Sequence, residues 1–205
     1  MSALVVATVI AVTACTTGDD AGDTDTGAVT TSTGDVASSP SPAIVMGFLT
    51  TVNRCEVEAG ELAEVKATNA RVADYGKMMV ADHRRALREA ASVIDSAATA
   101  TPVGQPAVDA QALHEQAMNT LRTTSRGTAF DSTYIAMMVT GHQDVLARLE
   151  GMKGPGNSAS ATSGTQSAGA AAGDPVQIQL QSSIEMVRTH LQRAQEIQQS
   201  LQGGR

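Results

Sequence analysis

Three of the four histidines in this chain stand four residues after a methionine: His83 after Met79, His142 after Met138 and His190 after Met186. The first two belong to a repeated pattern, Y-x-x-M-M-V-x-x-H-x-x-x-L, which runs from Tyr75 to Leu87 and again from Tyr134 to Leu146. Imidazole binds zinc, copper, iron and nickel and changes charge near neutral pH. At about 100° per residue on a helix, His83 falls about 40° from Met79, on a stripe with Val72, Ala86 and Ala90. His142 falls at the same angle from Met138, beside Val145 and Leu149, whereas His190 lies nearer the rim of its stripe, about 60° from Val187. Glu56 is about 40° from Val52, an acid aimed at a core, while Glu58 and Glu61 point sideways or outward.

A carboxylate buried alone is costly, so an inward Glu56 should be paired, protonated or on a metal. Glu56, His83, His142 and His190 are therefore the candidate metal-ligating set, with Met79 and Met138 nearby. Histidine with glutamate suits zinc, iron or manganese, and added thioethers favour copper. A transition metal is the candidate cofactor. Two other readings use the same residues. In one, methionine fills a helical core and each histidine bonds a neighbour. In the other, histidine and methionine ligate haem, although the chain has no C-x-x-C-H motif and few aromatics to line a porphyrin. His114, beside Glu115, reads as solvent-facing.

Helices must position these side chains. Periodic apolar residues mark them at about 43–67, 70–99, 128–151 and 175–202, with a shorter one at about 106–123. The stripes are Val45, Phe48, Val52, Cys55, Ala59 and Leu62; Val72, Met79, Ala86, Ala90, Val93 and Ala97; Ile135, Met138, Val145 and Leu149; and Leu180, Ile184, Val187, Leu191, Ala194 and Leu201. Asn69 caps the second helix, and Asp174 followed by Pro175 opens the last. The fold class is all-α. A long crossover between the second and third long helices, containing a short extra helix, is the connectivity of a ferritin-like four-helix bundle.

The 205 residues carry 14 basic and 21 acidic side chains, a net charge of −7. Five of those acids, and no Lys or Arg, precede residue 43, which leaves the rest nearly balanced. No basic face suggests nucleic-acid binding. Residues 1–14 read as a lipoprotein-type signal peptide: the apolar run Ala3–Ala14 is too short to span a bilayer, and Val12-Thr13-Ala14-Cys15 resembles a lipobox. Acylation of Cys15 would make it the mature N-terminus. Residues 15–42 are then a disordered acidic tether of Thr, Ser, Gly, Asp and Pro, and 43–205 the folded domain, interrupted by the low-complexity loop 154–173. The expected location is extracytoplasmic, anchored by lipid to the cell envelope at the outer membrane or cell surface.

E-V-E-A-G-E-L-A (56–63), M-V-A-D-H (79–83), F-D-S-T-Y-I-A-M-M-V-T-G-H (130–142) and the late His190 together resemble the domain-of-unknown-function 4142 proteins, over about 44–200. That resemblance implies a ferritin-like helical fold, an extracytoplasmic location and no established activity. The wider ferritin-like group includes di-iron enzymes with Glu-x-x-His pairs. Here Val80, Val139 and Val187 stand where those glutamates would be, so di-iron oxidase chemistry does not carry over. No nucleophile elbow or phosphate loop is present. The chain reads as an envelope lipoprotein with a non-catalytic interaction or stress role; the alternative is a metal-binding bundle using the Glu/His cluster.

Overall fold

The computed structural model describes residues 40–97, 104–153 and 173–203. The expected leader, Cys15, the tether up to residue 39 and the low-complexity residues 154–172 lie outside the described residues. The described chain is all-α: α1 (Pro42–Lys66), α2 (Ala70–Ala97), α3 (Gln105–Thr123), α4 (Thr128–Gly151) and α5 (Pro175–Gly203). Expected and observed helix ends agree to within a few residues, and three of the starts carry a side-chain cap. Ser41 accepts from Ile44 N ahead of Pro42. The Asn69 carbonyl side-chain oxygen accepts from Arg71 N at 2.9 Å, and Asp174 accepts from Val176 N at 3.0 Å ahead of Pro175. No described helix is long and apolar enough to cross a membrane.

Helix α1 packs along α2, α4 packs along α5, and α2 and α1 both meet α5; α3 lies on α1 and touches α4. The α1–α2 crossing is close because it is built from small residues. A Cβ added at Gly76 would meet Ala63 Cβ at 2.9 Å and the Gly60 carbonyl at 3.0 Å. Two further ties fix the ends. Asp131, 1% exposed in the first turn of α4, accepts from Thr68 N, Thr68 Oγ1 and Asn69 N, which pins α4 to the α1–α2 turn. Lys66 Nζ donates to the carbonyls of Leu121, Arg122 and Thr124 and stands over the Phe130 ring, closing the C-terminus of α3 against α1.

The apolar core comes in two clusters. One holds Ala59, Met79, Phe130, Tyr134, Met138, Ala194 and Ile197; the other holds Val52, Phe48, Ala90, Leu149, Ile184 and Val187. Along each of four helices a buried polar residue falls between the two: Asn53 on α1, His83 on α2, His142 on α4 and His190 on α5. A polar layer thus divides the core. The expected stripes are largely buried, with Leu62, Val93, Val145, Leu191 and Leu201 half-buried. On α1 burial extends further, to Met46, Leu49 and Asn53, because three other helices surround it.

Two substitutions test these ties. Gly76→Leu forces the α1–α2 crossing apart and is expected to destabilise by about 1–3 kcal/mol, read as a lower thermal midpoint by circular dichroism. An unchanged midpoint contradicts the close approach. Asp131→Ala strands donors at the α1–α2 turn and is expected to cost about 2 kcal/mol in urea unfolding; full retention of stability would mean the carboxylate holds nothing.

Candidate metal centre

His83, His142 and His190 are 1%, 2% and 1% exposed. One ring nitrogen from each lies within 4.8 Å of the others, and the ring centroids are 5.1 to 6.4 Å apart. The helices deliver them from three directions. Tyr75, two turns before His83, donates its hydroxyl to the His190 carbonyl at 3.2 Å, which fixes α5 against α2 at this level. Its repeat partner Tyr134 meets it edge-on, 6.2 Å away. The repeated sequence pattern therefore brings its tyrosines together at one level and its histidines together at another.

Each imidazole is held by a single outward hydrogen bond. The Asn53 amide nitrogen donates to the Leu49 carbonyl at 2.8 Å, which leaves Asn53 Oδ1 to accept from His83 Nδ1 at 2.7 Å. His142 Nδ1 donates to the Met138 carbonyl at 2.8 Å, and His190 Nε2 donates to Asp82 Oδ2 at 3.0 Å. With the protons assigned by these acceptors, the lone pairs remain on His83 Nε2, His142 Nε2 and His190 Nδ1. His83 Nε2 and His190 Nδ1 are buried without a hydrogen-bond partner. Metal-ligating histidines carry this arrangement: an amide, carbonyl or carboxylate fixes the tautomer, and the other nitrogen is left for the ion.

Electrostatics favour the neutral form of His83 and His190. Burial pushes His83 well below the ordinary histidine range, and the neighbouring His190 and His142 push the same way. Burial also lowers His190, outweighing the bond to Asp82, which acts in the opposite direction. Neutral imidazole is the form that binds metal. Nitrogens on a tetrahedral ion with metal–nitrogen bonds of about 2.0–2.1 Å sit about 3.4 Å apart, so the rings close on an ion by shifts on the order of an ångström.

Glu56 is not in this group. It is half-buried one turn along α1 from Asn53; its Oε2 is buried without a partner, and it lines a separate cavity. Asn53 occupies the α1 position in the histidine layer instead. Sequence reasoning passed over Asn53 because it lies about 100° from Val52, outside a narrow stripe; only α1's burial against several helices turns it inward. Asp82 was missed for a similar reason, since it sits beside His83 on the flank that faces α5. His114 differs from its solvent-facing expectation: only 10% of its side chain is exposed, and Nε2 bonds Glu58 Oε2 at 2.9 Å. The α3 helix lies on α1 and so covers it. Cys55 is buried, and burial first, then the Glu56 and Glu58 carboxylates, push its thiol up to about 12, which leaves it protonated and unreactive.

A pH dependence follows from the depressed histidines. Their folded-state values lie below the ordinary 6.5, so below that pH the unfolded chain binds protons that the folded chain refuses. Stability of metal-free protein is expected to be full above pH 6.5 and to fall as pH drops through and below that value. Urea unfolding in chelator at a series of pH values reads this directly. A midpoint that holds or rises on acidification would mean the imidazoles are charged in the fold.

The sequence profile described as Domain of unknown function (DUF4142) matches residues 28–197. No curated protein and no solved structure matches the chain. The match spans most of the sequence and includes the helices that carry all three histidines, so the chain belongs to the DUF4142 family.

Proposed function

We propose that this protein binds one first-row transition-metal ion through His83, His142 and His190. The observation that carries the reading is the set of three buried imidazoles, each bonded outward through one nitrogen, with one ring nitrogen of each within 4.8 Å of the others. Three nitrogen donors suit zinc or copper rather than magnesium or calcium, which take oxygen ligands. Three protein ligands leave a coordination position open, as in sites where a metal meets water or an external ligand. Asn53, the Met138 carbonyl and Asp82 orient the ligands, and Asp82 also supplies negative charge at second contact.

We further propose that the domain is a ferritin-like bundle in which α1 with α2 and α4 with α5 are the four long helices and α3 lies in the crossover between α2 and α4. The pairing of those helices supports this arrangement. The leader-like residues 1–14, the lipobox-like run ending in Cys15 and the polar tether support an extracytoplasmic, lipid-anchored location. A three-imidazole site facing exchangeable metal outside the cytoplasm fits an envelope metal-binding role.

Elemental analysis of protein loaded with zinc or copper and then desalted tests the reading. A single ion per chain is expected, lost in the His83→Ala, His142→Ala double variant. Asn53→Ala is expected to weaken affinity by about 10–100-fold while leaving all three ligands in place. Wild-type protein that retains no metal, or a double variant that retains it fully, would overturn the assignment.

A further inference from the structure

A second site lies apart from the histidines. A cavity of about 240 Å³ opens between α1, α3 and α4. Phe48, Val52, Ala59, Met118, Leu121 and Met138 give it apolar walls, and none of the three clustered histidines lines it. An apolar cavity of about 150 Å³ accepts benzene, so this one has room for a body of about ten non-hydrogen atoms.

The polar groups in the lining are unequal. His114 is already bonded to Glu58, which also pairs with Arg122. Asp144 and Arg148 are exposed side chains on α4, so water reaches them. Glu61, further along α1, is paired with Arg84. Among the described lining residues, Glu56 brings a carboxylate with no ion-pair or hydrogen-bond partner. An acceptor-only oxygen in an apolar chamber calls for a donor, and a cationic donor gives the stronger bond.

We propose that this cavity binds a small organic amine, with its apolar body against Phe48, Val52 and Leu121 and its ammonium donating to the Glu56 carboxylate. Charge selects the class. An anion would meet the Glu56 carboxylate, and an uncharged molecule of the same shape would gain the apolar contacts without the charge-assisted bond. The site shares Met138 with the histidine layer, since the Met138 side chain lines the cavity and its carbonyl orients His142. Binding itself requires no metal.

Calorimetric titration of the full chain with phenethylamine, 2-phenylethanol and phenylacetate, all in chelator, tests the assignment. Phenethylamine is expected to bind at least about tenfold more tightly than 2-phenylethanol, with phenylacetate weakest. Glu56→Gln should erase the difference between amine and alcohol while keeping both bound, and His83→Ala should leave all three unchanged. Ala117→Phe, which fills the chamber from α3, should abolish binding while the helical circular dichroism of the protein is retained. Equal affinity for amine and alcohol, an amine preference that survives Glu56→Gln, or no binding of amine at millimolar concentration would each overturn the proposal. Loss of amine binding in His83→Ala would place the amine on the histidine layer and overturn it as well.

Discussion

The structure depends on burying three imidazoles inside a helical core. A buried charge without a partner is far more costly than a buried neutral ring whose N–H is bonded. Each ring therefore needs one acceptor, and each has one of a different kind: the Asn53 amide, the Met138 carbonyl and the Asp82 carboxylate. Those three bonds settle which nitrogens carry protons, and they leave His83 Nε2 and His190 Nδ1 buried without a hydrogen-bond partner. Buried acceptors without donors are uncommon in stable folds. A cation in their midst satisfies His83 Nε2 and His190 Nδ1 together, which an apolar repacking of the same space does not.

The remaining elements hold that layer in register. Small residues at the α1–α2 crossing let Asn53 approach His83, and the Tyr75 hydroxyl ties α2 to the backbone at His190. Asp131 and Lys66 anchor α4 and α3 to the end of α1, so the helix bearing His142 is fixed at its start rather than near its ligand. Apolar clusters lie on both sides of the polar layer. Burial between them depresses the proton affinity of His83 and His190.

Much of this was legible in the sequence. Helix starts were readable at Asn69 and Asp174-Pro175, local signals whose partners lie within a few residues. His83 and His142 were readable because a four-residue step from a core methionine carries its own orientation. His190 was less so, since it lies about 60° from Val187, nearer the rim of its stripe. What stayed hidden depends on neighbours. Glu56 points inward as its angle implies, yet α3 lies over that part of α1 and makes a separate cavity there. Asn53, Asp82 and Asp131 are polar residues whose burial is created by other helices, and single-helix periodicity does not reveal which flank a neighbour will cover.

The central claim is that the three imidazoles are ligands rather than a structural polar layer. X-ray absorption at the metal edge of zinc- or copper-loaded protein tests it most directly. The account predicts a first shell containing three nitrogen scatterers at about 2.0–2.1 Å, with the outer-shell pattern of imidazole rings. A shell of oxygen atoms alone, without imidazole scattering, would contradict it.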